Sequence, residues 1–246
     1  MPDAVIESLR LTSVLNAMAA GLLSAPQAEA QLRTTETGAS GRPHHVVDEQ
    51  QLLGLPADAG SPVRLALARI VNRMPAERWT LLLPRPGRLG GLRGPVETNQ
   101  LALECGAVVA ARRVGVAWLP RPVGPAMQWQ LVWAEAPLPP PTPGEAARAL
   151  SEQVLVAARE LGELDAPAGR RPRCAASVVL GRAYPQACQG LLDKALLWRE
   201  ACQAGLDATS ETLHSHAALT RERHLHDLNQ LCLDAISAAA SWPAEG

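Results

Sequence analysis

Between Ala136 and Pro143 five of eight residues are proline, a run that cannot enter a sheet interior, breaks any helix and tends to extend as polyproline II. It divides the chain. We read residues 1–135 as one part, 136–143 as a stiff linker and 144–246 as a second part, in a chain of 246 residues that can bury its cores without disulfides or metals.

Ahead of the prolines, hydrophobic periodicity changes character several times. Residues from about Asp3 to Arg33 read as one long or two shorter helices, broken near Ser24-Ala25-Pro26, with a stripe of Ile6, Leu9, Val14, Met18 and Leu22. A loop follows, then a short strand at His44–Val47. After Gly60 a helix is signalled by Ser61 as cap, Pro62 in the first turn and a stripe of Val63, Leu67, Ile70 and Met74. Trp79–Leu83 is an apolar run of strand length, and a Gly-rich turn leads from it to a helix over Val96–Glu104. Further strands are expected at Val108–Ala111, Val114–Leu119 and Met127–Trp133, separated by Arg112-Arg113 and by the proline-rich stretch from Pro120 to Pro125. In the last strand Met127, Trp129, Leu131 and Trp133 share one face and Gln128 and Gln130 the other, the alternation of a half-buried antiparallel strand. Both tryptophans read as core, because a chain with no Phe and one Tyr must fill its interior with Leu, Val, Ala and its six Trp.

Beyond the prolines the pattern is helical. Thr142 as cap, Pro143 in the first position and Glu145 at the third start a helix that should run to about Leu161 and stop at Gly162. Its inward stripe is Ala147, Leu150, Val154, Ala157 and Leu161. A second helix carries Leu191, Ala195, Trp198 and Cys202, and a third Leu225, Leu228, Cys232 and Ala235. Residues from Ala166 to Arg182 between them read as loop with a short strand at Ala176–Leu180. The fold class is therefore α+β: an N-terminal α/β part with a small mixed or antiparallel sheet, and a C-terminal helical, bundle-like part.

Several functional classes are disfavoured. With 23 basic and 24 acidic residues no overall field draws the chain to nucleic acid or an anionic membrane, and 3% aromatics supply few stacking platforms. No apolar segment has the roughly 18 to 20 residues of a membrane span. Leu11 to Leu23 followed by Ala28-Glu29-Ala30 imitates a secretory leader, but Asp3 and Glu7 cancel the charge that such a leader needs and Thr12, Ser13 and Asn16 interrupt it, so a cytoplasmic setting is expected.

The five cysteines, Cys105, Cys174, Cys188, Cys202 and Cys232, contain no Cys-x-x-Cys pair and read as reduced thiols, Cys188 and Cys202 on an apolar helix stripe. His44 and His45, adjacent on a strand, point to opposite faces, and His224 and His226 diverge on a helix, so no metal site and no cofactor are expected. The short basic groups at Arg112-Arg113, Arg170-Arg171 and Arg221 with Arg223 read as solvated faces or loops. No nucleophile signature is present, which leaves open whether the chain is an enzyme.

The segment from Pro84 to Pro95 is the candidate site. A strand, a loop containing Gly87, Gly90, Gly91 and Gly94, and a helix starting at Pro95 bring free backbone N–H groups together, which suits an anion. Arg85 and Arg93 would be its charge partners, with Gly90, Gly91 and Gly94 permitting close backbone approach. Against this, the segment lacks the Gly-Lys-Ser/Thr of a Walker loop and the Rossmann spacing, and Gly with Pro also makes ordinary connections.

His44-His45-Val46-Val47, then Leu83-Pro84 through Gly94-Pro95, Asn99, Ala102-Leu103-Glu104 and Val114-Gly115-Val116, with an Arg-rich last helix over Leu219–Ala240, together resemble a family of uncharacterised proteins from high-GC actinobacteria. The resemblance implies no activity. It does imply divergence here, since the family's pattern usually has an aspartate where Arg88 stands and a phenylalanine where Thr98 stands, and any ligand held by that aspartate would be lost. The expected function is that of a non-catalytic protein that binds another protein; the alternative is a protein or enzyme for a small anion, a phosphate or carboxylate, at the loop 84–95.

Overall fold

A computed structural model describes residues 4–34, 42–57, 60–163, 177–207 and 216–244. The elements run α1 (Ala4–Ala19), α2 (Ala25–Arg33), β1 (His44–Val47), β2 (Ser61–Pro62), α3 (Val63–Arg73), β3 (Trp79–Leu82), α4 (Val96–Cys105), β4 (Val108–Ala111), β5 (Ala117–Val123) and β6 (Ala126–Val132). Three helices follow: α5 (Pro143–Gly162), α6 (Gln186–Asp207) and α7 (His216–Ser241). The α+β class holds. Two compact units result, one of residues 1–140, 178–185 and 240–246, the other of residues 141–177 and 186–239.

The first unit is built on a six-stranded sheet in the order β2-β1-β6-β5-β4-β3, antiparallel except where β1 runs parallel to β6. Strand alternation sorts its side chains into two layers. Leu81, Val109, Trp118 and Leu131 are register partners on one face, joined there by Trp79 and Trp129. All three of these tryptophans are fully buried and meet edge to face, Trp79 on Trp118 and Trp118 on Trp129. On the opposite face Leu82, Val108, Ala110, Ala117, Leu119 and Val132 form a second core with Leu92 and with Ala102 of α4.

Helix α1 packs against β3, β4 and β5. It is buried on every side from Val5 to Met18, Glu7, Ser8, Thr12, Ser13 and Asn16 included, rather than along the expected stripe, and Leu22 lies beyond its end, half in water. Three of these polar residues are held inside by bonds: Thr12 Oγ1 donates to the Ser8 carbonyl (2.8 Å), Ser13 Oγ to the Leu180 carbonyl (2.6 Å), and Asn16 Nδ2 to both the Trp79 carbonyl (2.9 Å) and the Tyr184 hydroxyl (2.8 Å). The Trp79 amide returns a bond to Asn16 Oδ1 at 2.9 Å.

Local signals and tertiary partners disagree at several points. Ser61 caps nothing: Ser61 and Pro62 pair with Val46 and His45 as β2, and α3 starts without a side-chain cap while keeping Val63, Leu67, Ile70 and Met74 inside. Strand β5 begins three residues later than expected and runs through Pro120 and Pro122. They are tolerated because β4 pairs only Ala117 and Trp118, so two prolines spaced by two can turn their missing N–H groups to an unpaired edge while β6 pairs the other. Trp133 lies past the end of β6 and is 43% exposed, its ring resting where a Cβ on Gly115 would be; only Trp129 of that pair is core. Val178–Leu180 is no strand, and Ala176 lies outside the described residues.

Arg112 and Arg113 lie in the loop after β4 and Arg113 is exposed there, but Arg112 is not solvated. The Arg112 guanidinium, pushed below its usual pKa by burial, bonds Thr80 Oγ1 and the Ser241 carbonyl and stacks 4.8 Å over Trp242, while Arg113 pairs with buried Glu77.

In the second unit Thr142 and Glu145 cap α5 reciprocally, the Thr142 amide donating to the Glu145 carboxylate at 2.9 Å and the Glu145 amide to Thr142 Oγ1 at 3.3 Å. Ala146, Leu150 and Ala157 are its buried side. Leu191, Ala195 and Cys202 of α6 and Leu228, Cys232 and Ala235 of α7 are buried as well.

Candidate functional site

Residues 83–95 carry Gly87, Gly90 and Gly91 in two successive turns. The Arg85 amide donates to the Arg88 carbonyl (2.9 Å) and the Arg88 amide to the Arg85 carbonyl (2.8 Å), closing a hairpin on Pro86-Gly87, with Gly87 at φ +80° as the second central residue of a type II turn requires. Next the Leu92 amide donates to Leu89 (3.2 Å) across Gly90 and Gly91, both at positive φ. Leu92 is buried in the second core, which fixes where this turn sits.

What surrounds the glycines is the chain's own backbone. A Cβ on Gly90 would stand 3.3 Å from the Leu83 carbonyl, and one on Gly91 only 2.8 Å from the Leu138 carbonyl. The Leu138 amide donates to the Gly91 carbonyl (2.9 Å) and the Glu135 amide to the Arg93 carbonyl (2.8 Å), so the segment 135–138 is laid along the loop. The Gly94 carbonyl accepts from Asn99 Nδ2 at 3.1 Å, and Thr98 Oγ1 donates to the Trp133 carbonyl at 3.1 Å. Close approach at Gly90 and Gly91 therefore serves the loop's closure onto neighbouring backbone.

Charge is partly spoken for. Arg93 meets Glu135 at 2.8 Å, both about half exposed. Ahead of α4 the cap residue is Pro95, which supplies no side-chain bond to the first turn; Glu97 already places an acid in that turn, and the Arg93 guanidinium already has a carboxylate. Arg85, Gly90, Gly91, Arg93 and Gly94 are thus gathered on one short segment; their contacts are with the protein itself.

The other sequence candidates separate. His44 is buried and accepts at Nδ1 from Trp129 Nε1 (3.0 Å); burial first, and then the charges of Arg42, Arg10 and Arg33, lower its pKa to about 4. His45 faces the other way and is exposed. His224 Nε2 lies 2.6 Å from the Glu160 carboxylate and so ties α7 to α5, whereas His226 pairs with Glu222 on its own helix. Among the described residues no group of three or more His, Cys, Asp or Glu could hold a metal. Cys188, Cys202 and Cys232 are buried and in no disulfide; the Cys202 and Cys232 thiols hydrogen-bond each other between α6 and α7, and that bond, then burial, raises the Cys232 thiol. Arg221 donates to the Gly205 carbonyl near the end of α6 (2.8 Å), a better place for it than open solvent. Cys174, Arg170, Arg171 and His214 lie outside the described residues.

Pattern reading missed the two anchors that matter most to this loop, Glu135 and Leu138, because Leu138 lies between prolines that mark a connection and Glu135 just ahead of them. Among the described residues no helix is long and apolar enough to cross a membrane.

No curated protein and no solved structure matches the chain. A family model does, over residues 8–158, which takes in the whole sheet, the glycine loop and most of α5; its description is Rv1486c-like protein, N-terminal domain. More than half of the chain is matched, and the protein belongs to the Rv1486c-like family.

Proposed function

We propose that this protein, read as a cytoplasmic actinobacterial member of its family, works without catalysis by binding another protein through its helical second unit. One observation carries the reading: Leu155, 72% exposed, stands on the outer side of α5 among Arg148, Glu152 and Arg159, with Val156 beside it at 44%. Opposite positions of the same helix, Leu150 and Ala157, are buried, so the helix has a core face already satisfied and a second, smaller apolar feature ringed by charge. An apolar centre with a polar rim is the anatomy of a contact surface. The test compares tagged wild-type protein with a Leu155→Glu/Val156→Glu double variant of unchanged helicity. Support is a partner that the wild type retains and the variant loses, with the difference reproduced by purified components. Equal retention by both sinks the assignment of α5.

A second reading keeps the glycine loop as a site for a phosphate or carboxylate, with Arg85 and Arg93 as charge partners and Gly90, Gly91 and Gly94 giving backbone access. The start of α4 at Val96, three residues after Arg93 and without a side-chain cap, favours it. Phosphate, nucleotides and small carboxylates should then raise the melting temperature, the rise vanishing in Arg93→Ala and growing in Glu135→Gln, which frees the guanidinium. A panel without any rise removes this reading.

A further inference from the structure

The second core does not extend across the whole sheet. Helix α4 and the glycine loop cover it as far as Leu119, which is fully buried, and there the cover ends. In the next row along the strands His45 is the register partner of Gln128, and Gln128 of Arg121. Strand alternation puts all three on the face opposite Trp129 and Val46, the face that α4 covers further on. His45 and Arg121 are exposed and Gln128 half-buried. The C-terminal end of α4 makes the wall of this step: the Cys105 thiol hydrogen-bonds Arg121 and is itself half-buried. In the row beneath the edge, between Val47 and Leu119, Gln130 has a side-chain oxygen shielded from solvent and without a hydrogen-bond partner.

We propose that this step binds a small molecule through an oxyanion group, a carboxylate or a phosphate, with Arg121 as the charge partner and Gln128 and His45 as flanking hydrogen-bonding groups. Neighbouring side chains in such a row stand about 5 Å apart, so the three span a width that a small metabolite fills. Neither row contains an acid. Arg121 makes no ion pair among the described residues, so apart from its bond with Cys105 its donors are left for a planar oxyanion. Glu104, exposed on α4 next to Cys105 and near enough to act on its thiol, would weaken the site rather than build it. This site is separate in sequence from the glycine loop and stands or falls independently of it.

The experiment is a titration of the full-length, isotope-labelled protein with inorganic phosphate and, separately, acetate, at constant ionic strength set with chloride and read by nuclear magnetic resonance. Saturable shifts of the Gln128 side-chain amide and the Arg121 Nε–H are expected with at least one anion, and which anion acts distinguishes phosphate from carboxylate ligands. Binding should weaken at least about tenfold in Arg121→Ala, strengthen in Glu104→Gln and stay unchanged in Arg93→Ala. Shifts that fail to saturate with both anions, or that persist in a folded Arg121→Ala, overturn the proposal. Mapping on the wild type keeps it falsifiable even if that variant does not fold.

Discussion

The backbone amide of Leu81 donates to the hydroxyl of Ser241 at 3.0 Å, across 160 residues of chain, and the bond is buried. Together with Asn16, which bonds both the amide and the carbonyl of Trp79, it closes the outer edge of β3. An open edge strand with Trp79, Leu81 and Leu82 would invite pairing with a second chain; here side chains replace the missing strand.

Replacing Ser241 by Ala should therefore leave a buried N–H unanswered and cost about 1–3 kcal/mol. Urea unfolding followed by tryptophan fluorescence checks this, since Trp79, Trp118 and Trp129 all lie in the affected core. The midpoint should fall with an unchanged slope. An unshifted midpoint would mean that Leu81 finds another acceptor.

The reasons some of this could be read in the sequence and some could not are physical. The bounds of α4 and the cap at Thr142 rest on contacts within a few residues, and Val108–Ala111 forms a strand as its apolar run suggests. The buried polar side of α1 depends instead on Trp79, Leu180 and Tyr184, which no window around Asn16 contains. Arg112 reads as solvated until Thr80, Ser241 and Trp242 surround it. At the glycine loop the turns were legible from Pro86-Gly87 and Gly90-Gly91, but their closure needs Glu135 and Leu138. Likewise the row His45, Gln128, Arg121 exists only because β1 lies parallel to β6, a pairing across some eighty residues that periodicity cannot reveal.

His44 makes stability depend on pH. Its pKa in the folded protein is lowered from 6.5 to about 4, chiefly by burial, so between those values the unfolded chain binds a proton that the folded one refuses. Stability is whole above about pH 6.5 and falls as the pH drops toward 4, by up to about 3 kcal/mol from this group alone. Urea midpoints measured from pH 7 to pH 4 should decline in the wild type and decline less in His44→Asn. Parallel declines would assign the loss to carboxylates instead.

Gly87 and Gly91 both sit at positive φ, yet they should not respond alike to alanine. At Gly87 nothing lies within 4 Å of an added Cβ, so only the backbone conformation is strained, at about 1–2 kcal/mol. At Gly91 the same strain is joined by a Cβ 2.8 Å from the Leu138 carbonyl, a backbone atom held in place by its own residue's bond to the Gly91 carbonyl. Gly91→Ala must push residues 135–138 off the loop, breaking that bond and disturbing the pair between Arg93 and Glu135. Its melting temperature should fall clearly further than that of Gly87→Ala, and the Leu138 amide should lose protection from hydrogen exchange in the Gly91 variant alone. Equal effects at the two positions would show that the segment 135–138 yields without cost, and the loop would then be open enough to reconsider as an anion cradle.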